Sequence, residues 1–198
     1  MKLVSAKFNN FRLLKDLEFN FSVDEERKLT VIRAANETGK TTALTALMWC
    51  FFGEQALPDY SRQKRKSPYV LFPTNLINSG NNRTEISVEI EFIVENQNPK
   101  SAQQGRTTYR AVRIVDEHYL QEGQSERGRE ILTMFRIGVN GAQKVSDGEA
   151  NAIIEAALPF SLKDVYFTDG DSAMSFIEAS SSTRVSSAIE SLLGLRTL

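Results

Sequence analysis

The chain has 198 residues, enough for one domain or one large lobe of a bigger domain, and it balances 24 Lys+Arg against 25 Asp+Glu. That balance excludes a global basic field for nucleic acid, so any such contact has to come from a local patch. A single cysteine, Cys50, excludes an internal disulfide scaffold, and there is neither a signal-peptide core nor a membrane-length apolar run; a soluble, cytoplasmic protein without a membrane partner is expected.

In chain order, Lys2 to Phe8 alternates and predicts a strand. Asn9-Asn10 signals a turn, and Phe11 to Phe21 predicts a second strand. A charged hairpin, Asp24 to Arg27, leads into Leu29-Thr30-Val31-Ile32, a short apolar run suited to a buried strand. Ala34-Ala35-Asn36-Glu37-Thr38 is a turn without bulk. Gly39-Lys40-Thr41-Thr42 then opens a helical pattern in which Leu44, Leu47, Met48, Phe51 and Phe52 share a broad face, and Gly53 is the stop.

Strand, loop, Gly-Lys-Thr and helix together make a phosphate-binding loop. Backbone N–H groups of Ala35, Asn36, Glu37, Thr38, Gly39 and Thr42 converge on an anion at the helix N-terminus. Lys40 reaches the β- and γ-phosphates, and the Thr41 hydroxyl ligates Mg²⁺. The first glycine of the formal pattern is replaced by Ala34, which costs little only where φ is negative. The plainer reading is a helix that merely begins Gly-Lys-Thr-Thr. With the strand before it and the helix after it, the loop implies a nucleoside triphosphate, ATP with Mg²⁺.

Beyond the helix, Gln55 to Pro73 is irregular and carries the run Arg62-Gln63-Lys64-Arg65-Lys66 between Tyr60 and Tyr69. Lys64, Arg65 and Lys66 are candidates for a nucleic-acid backbone, with a solvated surface loop as the competing reading. Thr84 to Val94 alternates as a half-buried strand, and Thr107 to Val115 is its antiparallel return. Gln121 to Arg129 is polar and reads as a mobile connection. Glu130 to Val139, Asn140-Gly141 and Ala142 to Val145 predict a hairpin. Ser146 with Glu149 forms a capping box for a helix that buries Ile153, Ile154, Ala157 and Leu158 and ends at Pro159. Asp164 to Asp171 reads as an apolar strand ending in an acidic turn, and the tail from Ala179 is serine-rich, then helical.

Asn10-Phe11-Arg12, Lys15-Asp16-Leu17-Glu18-Phe19, Thr30-Val31-Ile32, Asn36-x-x-Gly39-Lys40-Thr41-Thr42 and Ala46-Leu47 together resemble the start of the SMC superfamily. That group includes SMC, RecF, RecN, SbcC and the DNA-sulfur-modification ATPase DndD. The resemblance implies an α/β (α+β) P-loop NTPase fold of ABC-head type, a mixed sheet around the P-loop helix with an antiparallel β subdomain. Residues 1–178 would form the N-terminal lobe of the head, 179–198 the start of a helix towards a coiled coil, and the C-terminal lobe would be absent. Two family glycines are here Ala34 and Glu37. Arg12 occupies the position of an arginine that in the family lies near the phosphates; a solvated turn residue is the alternative.

Asp169 divides two enzymatic readings. At the end of a Walker B strand, it would hold Mg²⁺ through water in a self-contained NTPase. The resemblance instead implies the Q-loop position, with Phe167-Thr168-Asp169-Gly170-Asp171 similar to the Phe-Asp-Gly-Glu of DndD-like ATPases; an exposed acidic turn is the third option. These 198 residues contain no Leu-Ser-Gly-Gly string. The resemblance therefore implies an ATPase active as a full-length homodimer closing on DNA, with a partner nuclease or modifying enzyme, in DNA modification, repair or phage defence. A non-catalytic nucleotide-binding module is the remaining alternative.

Overall fold

The computed structural model describes residues 1–58, 69–73, 75–77, 80, 82–95, 105–121 and 124–168. The chain divides into two compact units, Met1–Ile153 and Ile154–Leu198. The first holds an antiparallel sheet in the order β2-β1-β3-β4-β6-β7, with β5 paired to β4. Its strands are β1 Lys2–Phe11, β2 Leu14–Asn20, β3 Arg83–Glu95, β4 Arg106–Gln121, β5 Gln124–Arg127, β6 Ile131–Gly138 and β7 Gly141–Lys144. Helix α1, Lys40–Phe52, packs on one face of that sheet.

The alternation read in the sequence decides which face is covered. Ile86, Val88, Ile90 and Phe92 of β3 are buried, and they pair with Ala6 and Phe8 of β1 and with Tyr109, Ala111 and Val115 of β4. The intervening glutamates point the other way, where Glu89 and Glu91 meet Arg110. Helix α1 answers with Ala43, Ala46 and Cys50, small side chains that let its backbone approach the sheet, and with Trp49 and Phe51 beside them. Phe51 meets Phe92 edge-on at 5.5 Å, and Trp49 lies 5.5 Å from Phe11. The Cys50 thiol donates to the Val88 carbonyl at 3.3 Å, and burial pushes its pKa up to about 12. It is a core residue, as expected from its place beside Trp49.

Several elements depart from expectation. Asn9-Asn10 does not turn: β1 runs through it to Phe11, and the turn falls at Arg12-Leu13. Asn10 takes φ 55°, a conformation asparagine tolerates, and its amide nitrogen donates to Thr84 and to the Glu85 carbonyl. Leu29 to Ile32 is not a strand, and Leu29 and Val31 are 80% and 69% exposed. Its apolar run calls for neighbouring strands, and none is present among the described residues. Gln121–Arg129 contains β5, tied to β4 by the register Glu117↔Arg127 and His118↔Glu126.

The capping box at Ser146 is half made. The Glu149 N–H donates to Ser146 Oγ at 3.4 Å, but the Glu149 carboxylate turns away to Arg136 at 2.7 Å. The helix it begins, α2 Asp147–Ala157, crosses from the first unit into the second. Within the second unit Ile154 and Leu158 are buried, and Lys163–Tyr166 is one turn of helix, α3, where a strand was expected. The Thr168 hydroxyl closes that turn on the Asp164 carbonyl at 2.9 Å. The helix leading towards a coiled coil, 179–198, lies outside the described residues. No helix of the described residues is long and apolar enough to cross a membrane.

Candidate functional site: a phosphate loop at the start of α1

Gly39 is the N-cap of α1 at φ 101°, which carries the chain from the loop into the helix. No side chain caps this N-terminus, and its first turn has no acidic residue. The leading N–H groups and the positive end of the helix dipole are thus presented without a side-chain acceptor. Lys40 Nζ curls back over the loop and donates to the carbonyls of Ala34 at 3.1 Å and Ala35 at 2.5 Å. The Thr38 hydroxyl donates to the Ala35 carbonyl at 2.8 Å, closing the turn. Residues 34–38, Lys40 and Thr41 are exposed, so the ammonium and the Thr41 hydroxyl stand at an open mouth. A cation, a row of helix amides and a free hydroxyl fit a Mg²⁺-bound polyphosphate.

The two positions where the loop differs from the formal pattern behave differently. Among the described non-glycine residues only Asn10, Arg12 and Glu37 have positive φ. Ala34 is therefore in a region alanine adopts freely, whereas Glu37 sits at φ 63°. Gly39 is closely surrounded: a Cβ there would lie 3.2 Å from Leu14 Cδ2 and 3.5 Å from Leu13 Cβ. The turn between β1 and β2 is thus pressed against the phosphate loop.

That turn begins with Arg12, at φ 53°. Its N–H donates to the Leu71 carbonyl at 2.8 Å and its Nη1 to the Val70 carbonyl at 3.1 Å, while the guanidinium lies 4.5 Å from the centre of the Tyr69 ring. Arg12 is thus anchored to the segment Tyr69–Leu71. Asp169 and the run Lys64, Arg65, Lys66 lie outside the described residues.

Gly53 ends α1 as the sequence predicts, but sequence reasoning missed the side chain that caps this end. Gly53 stops the helix at φ 68°, and Arg113 caps it, Nε donating to the Cys50 carbonyl at 3.0 Å and Nη2 to the Phe51 carbonyl at 3.3 Å. Glu130 accepts from Arg113 at 3.3 Å and from Trp49 Nε1 at 2.6 Å. Arg113 lies on β4 and Glu130 just before β6, and only the folded sheet shows that they meet. Among the described residues no group of three or more His, Cys, Asp and Glu could hold a metal ion.

A family model described as an AAA domain matches residues 5–186. The chain belongs to the AAA domain family. The match spans the phosphate loop, the sheet and the segment holding Asp169. In this AAA domain the P-loop NTPase fold is of the type seen in SMC ATPases. A chain solved in work on the ATP-driven dimerization and DNA-stimulated activation of SMC ATPases superposes with a TM-score of 0.54 at 16% identity, covering 97% of this chain and 99% of that one. At that identity the likeness establishes the fold alone. No curated protein sequence matches.

Proposed function

We propose that this AAA domain is the ATP-binding, N-terminal lobe of an SMC-like ATPase head that works as a homodimer on DNA. The carrying observation is the open loop at the start of α1, with Lys40 Nζ folded over it and the helix amides uncapped. The amides of Ala35 to Gly39 and Thr42 hold the phosphates, Lys40 neutralises them, Thr41 ligates Mg²⁺, and Arg12 approaches from the adjoining turn. Bound ATP supplies the free energy of hydrolysis to ADP and phosphate, which opens and closes the dimer. Asp169 orients water or the metal, and the signature motif and catalytic glutamate come from outside these 198 residues.

In motif style the chain resembles DndD and related phage-defence ATPases. This supports a cytoplasmic role in DNA modification, repair or defence beside a nuclease or modifying enzyme. Lys64, Arg65 and Lys66 are the residues proposed to meet DNA phosphates. Their charge reversal should weaken DNA binding and flatten its dependence on salt; an unaltered slope of log affinity against log salt assigns the run to solubility.

Titration calorimetry of the intact protein tests the nucleotide reading. Lys40→Ala should abolish ATP binding, since it removes the cation at the loop mouth. Unchanged affinity would remove the phosphate-loop assignment. A self-contained NTPase with Asp169 as Walker B is the alternative reading; it calls for a strand where Lys163–Tyr166 is helical. One observation favours a non-catalytic nucleotide-binding module: Glu37 places a carboxylate in the loop at a strained backbone position.

A further inference from the structure

We propose that Glu117 and Arg127 are a positioning pair for the nucleotide site, acting through the segment Tyr69–Leu71 on Arg12. The inference rests on the reading of the phosphate loop and Arg12 given above.

Glu117 lies on β4 with 0% exposure, and a carboxylate is taken out of water only where charge and hydrogen bonds replace it. Its Oε1 accepts from the Ser125 hydroxyl at 2.6 Å, from the Leu71 N–H at 3.2 Å and from Arg127 Nη2 at 3.4 Å. Arg127, on β5, donates from Nη2 to the Tyr69 carbonyl at 2.5 Å and from Nη1 to Glu54 at 2.9 Å. Glu117 Oε2 and Arg127 Nε are buried and have no hydrogen-bond partner among the described residues. The pair is thus held in place although its own hydrogen bonding is incomplete. What it does satisfy is the backbone of Tyr69 and Leu71.

Arg12 holds the rest of that backbone, through the carbonyls of Val70 and Leu71. Three residues are therefore gripped from one side by Glu117 and Arg127 and from the other by Arg12. Arg12 needs such a grip: its φ of 53° is one that L-residues rarely keep without support. Leu13 and Leu14, which follow it, are the side chains lying against Gly39. A displacement of Tyr69–Leu71 would pass directly to Arg12 and to the phosphate loop. Arg12 gives one guanidinium N–H to Val70, which leaves donors for an anion.

The test uses the intact protein and ATP as the probe. Arg127→Lys keeps the charge but replaces the planar fork that reaches Glu54, Tyr69 and Glu117 together. It should weaken ATP binding on the order of tenfold, as coupled residues in one network do. It should also speed hydrogen exchange at the Arg12 amide in nucleotide-free protein. Combined with Arg12→Ala it should bind ATP no more weakly than Arg12→Ala alone. Ser125→Ala, which removes one hydroxyl from Glu117, should move both readouts in the same direction by less, and it decides the matter if Arg127→Lys does not fold.

Unchanged ATP affinity with unchanged Arg12 exchange would overturn the proposal, as would losses that multiply in the double variant. If Arg12→Ala binds ATP like wild type while Lys40→Ala does not, the positioning inference fails and the phosphate loop stands. If Lys40→Ala also binds normally, the underlying reading fails with it.

Discussion

Glu37 is the residue at which loop chemistry and backbone conformation conflict. A φ of 63° costs a non-glycine residue about 1–2 kcal/mol, and Glu37 adds an exposed negative charge to the loop proposed to hold phosphate. Glu37→Gly should therefore tighten ATP binding about 3- to 10-fold, the equivalent of roughly 1 kcal/mol of relieved repulsion. Calorimetric affinity that stays the same or falls would show that the carboxylate does not oppose the ligand. Ala34 is the contrasting case. With φ outside the positive region, Ala34→Gly should leave affinity almost unchanged and lower stability by at most about 1 kcal/mol through backbone entropy.

At the scale of the element, α1 depends on its C-terminal end as much as on its phosphate end. Its last carbonyls are satisfied by Arg113, whose charge is balanced by Glu130; the two side chains are 11% and 14% exposed. Arg113→Met would leave Glu130 buried without its cation and two helix carbonyls without a donor. A loss of roughly 3 kcal/mol is expected, read as a lower denaturant midpoint at constant slope. A change under about 0.5 kcal/mol would mean that the cap adds little to what packing on the sheet already holds. The N-terminus is the opposite design: its amides carry no cap, which suits a site whose acceptor is a ligand.

At the scale of the whole molecule, the phosphate loop is approached along a largely exposed apolar segment. Leu29 and Val31 are the most exposed part of that run, so the strand side of the loop is held less firmly than the helix side. We expect purified residues 1–198 to turn over Mg·ATP far more slowly than about 1 s⁻¹, a typical enzyme rate. In the intact protein Asp169→Asn should lower turnover while sparing ATP affinity, which Lys40 and the loop amides supply. Turnover at 1 s⁻¹ or more by the 198-residue chain, lost on Asp169→Asn, would favour the self-contained reading.

Helix α1, the alternating β3 and its return β4, the hairpin read at Asn140-Gly141 (its turn falls at Val139-Asn140) and the phosphate loop were all legible in the sequence. Each is specified by local information: a 3.6 or 2.0 hydrophobic period, a glycine where φ must be positive, a short polar turn. Three features were decided by tertiary structure. Leu29–Ile32 has strand composition but makes no strand, because a ladder needs partners that no single segment contains. Gln121–Arg129 looks like a polar linker, yet β5 forms because Arg127 finds Glu117, Glu54 and the Tyr69 carbonyl. Arg12 reads as either a ligand contact or a surface turn, and only the fold brings Val70 and Leu71, 58 and 59 positions further along the chain, against it. Pattern in the sequence determines which residues face a core, whereas pairing across long separations depends on which charges and backbone groups the sheet brings together.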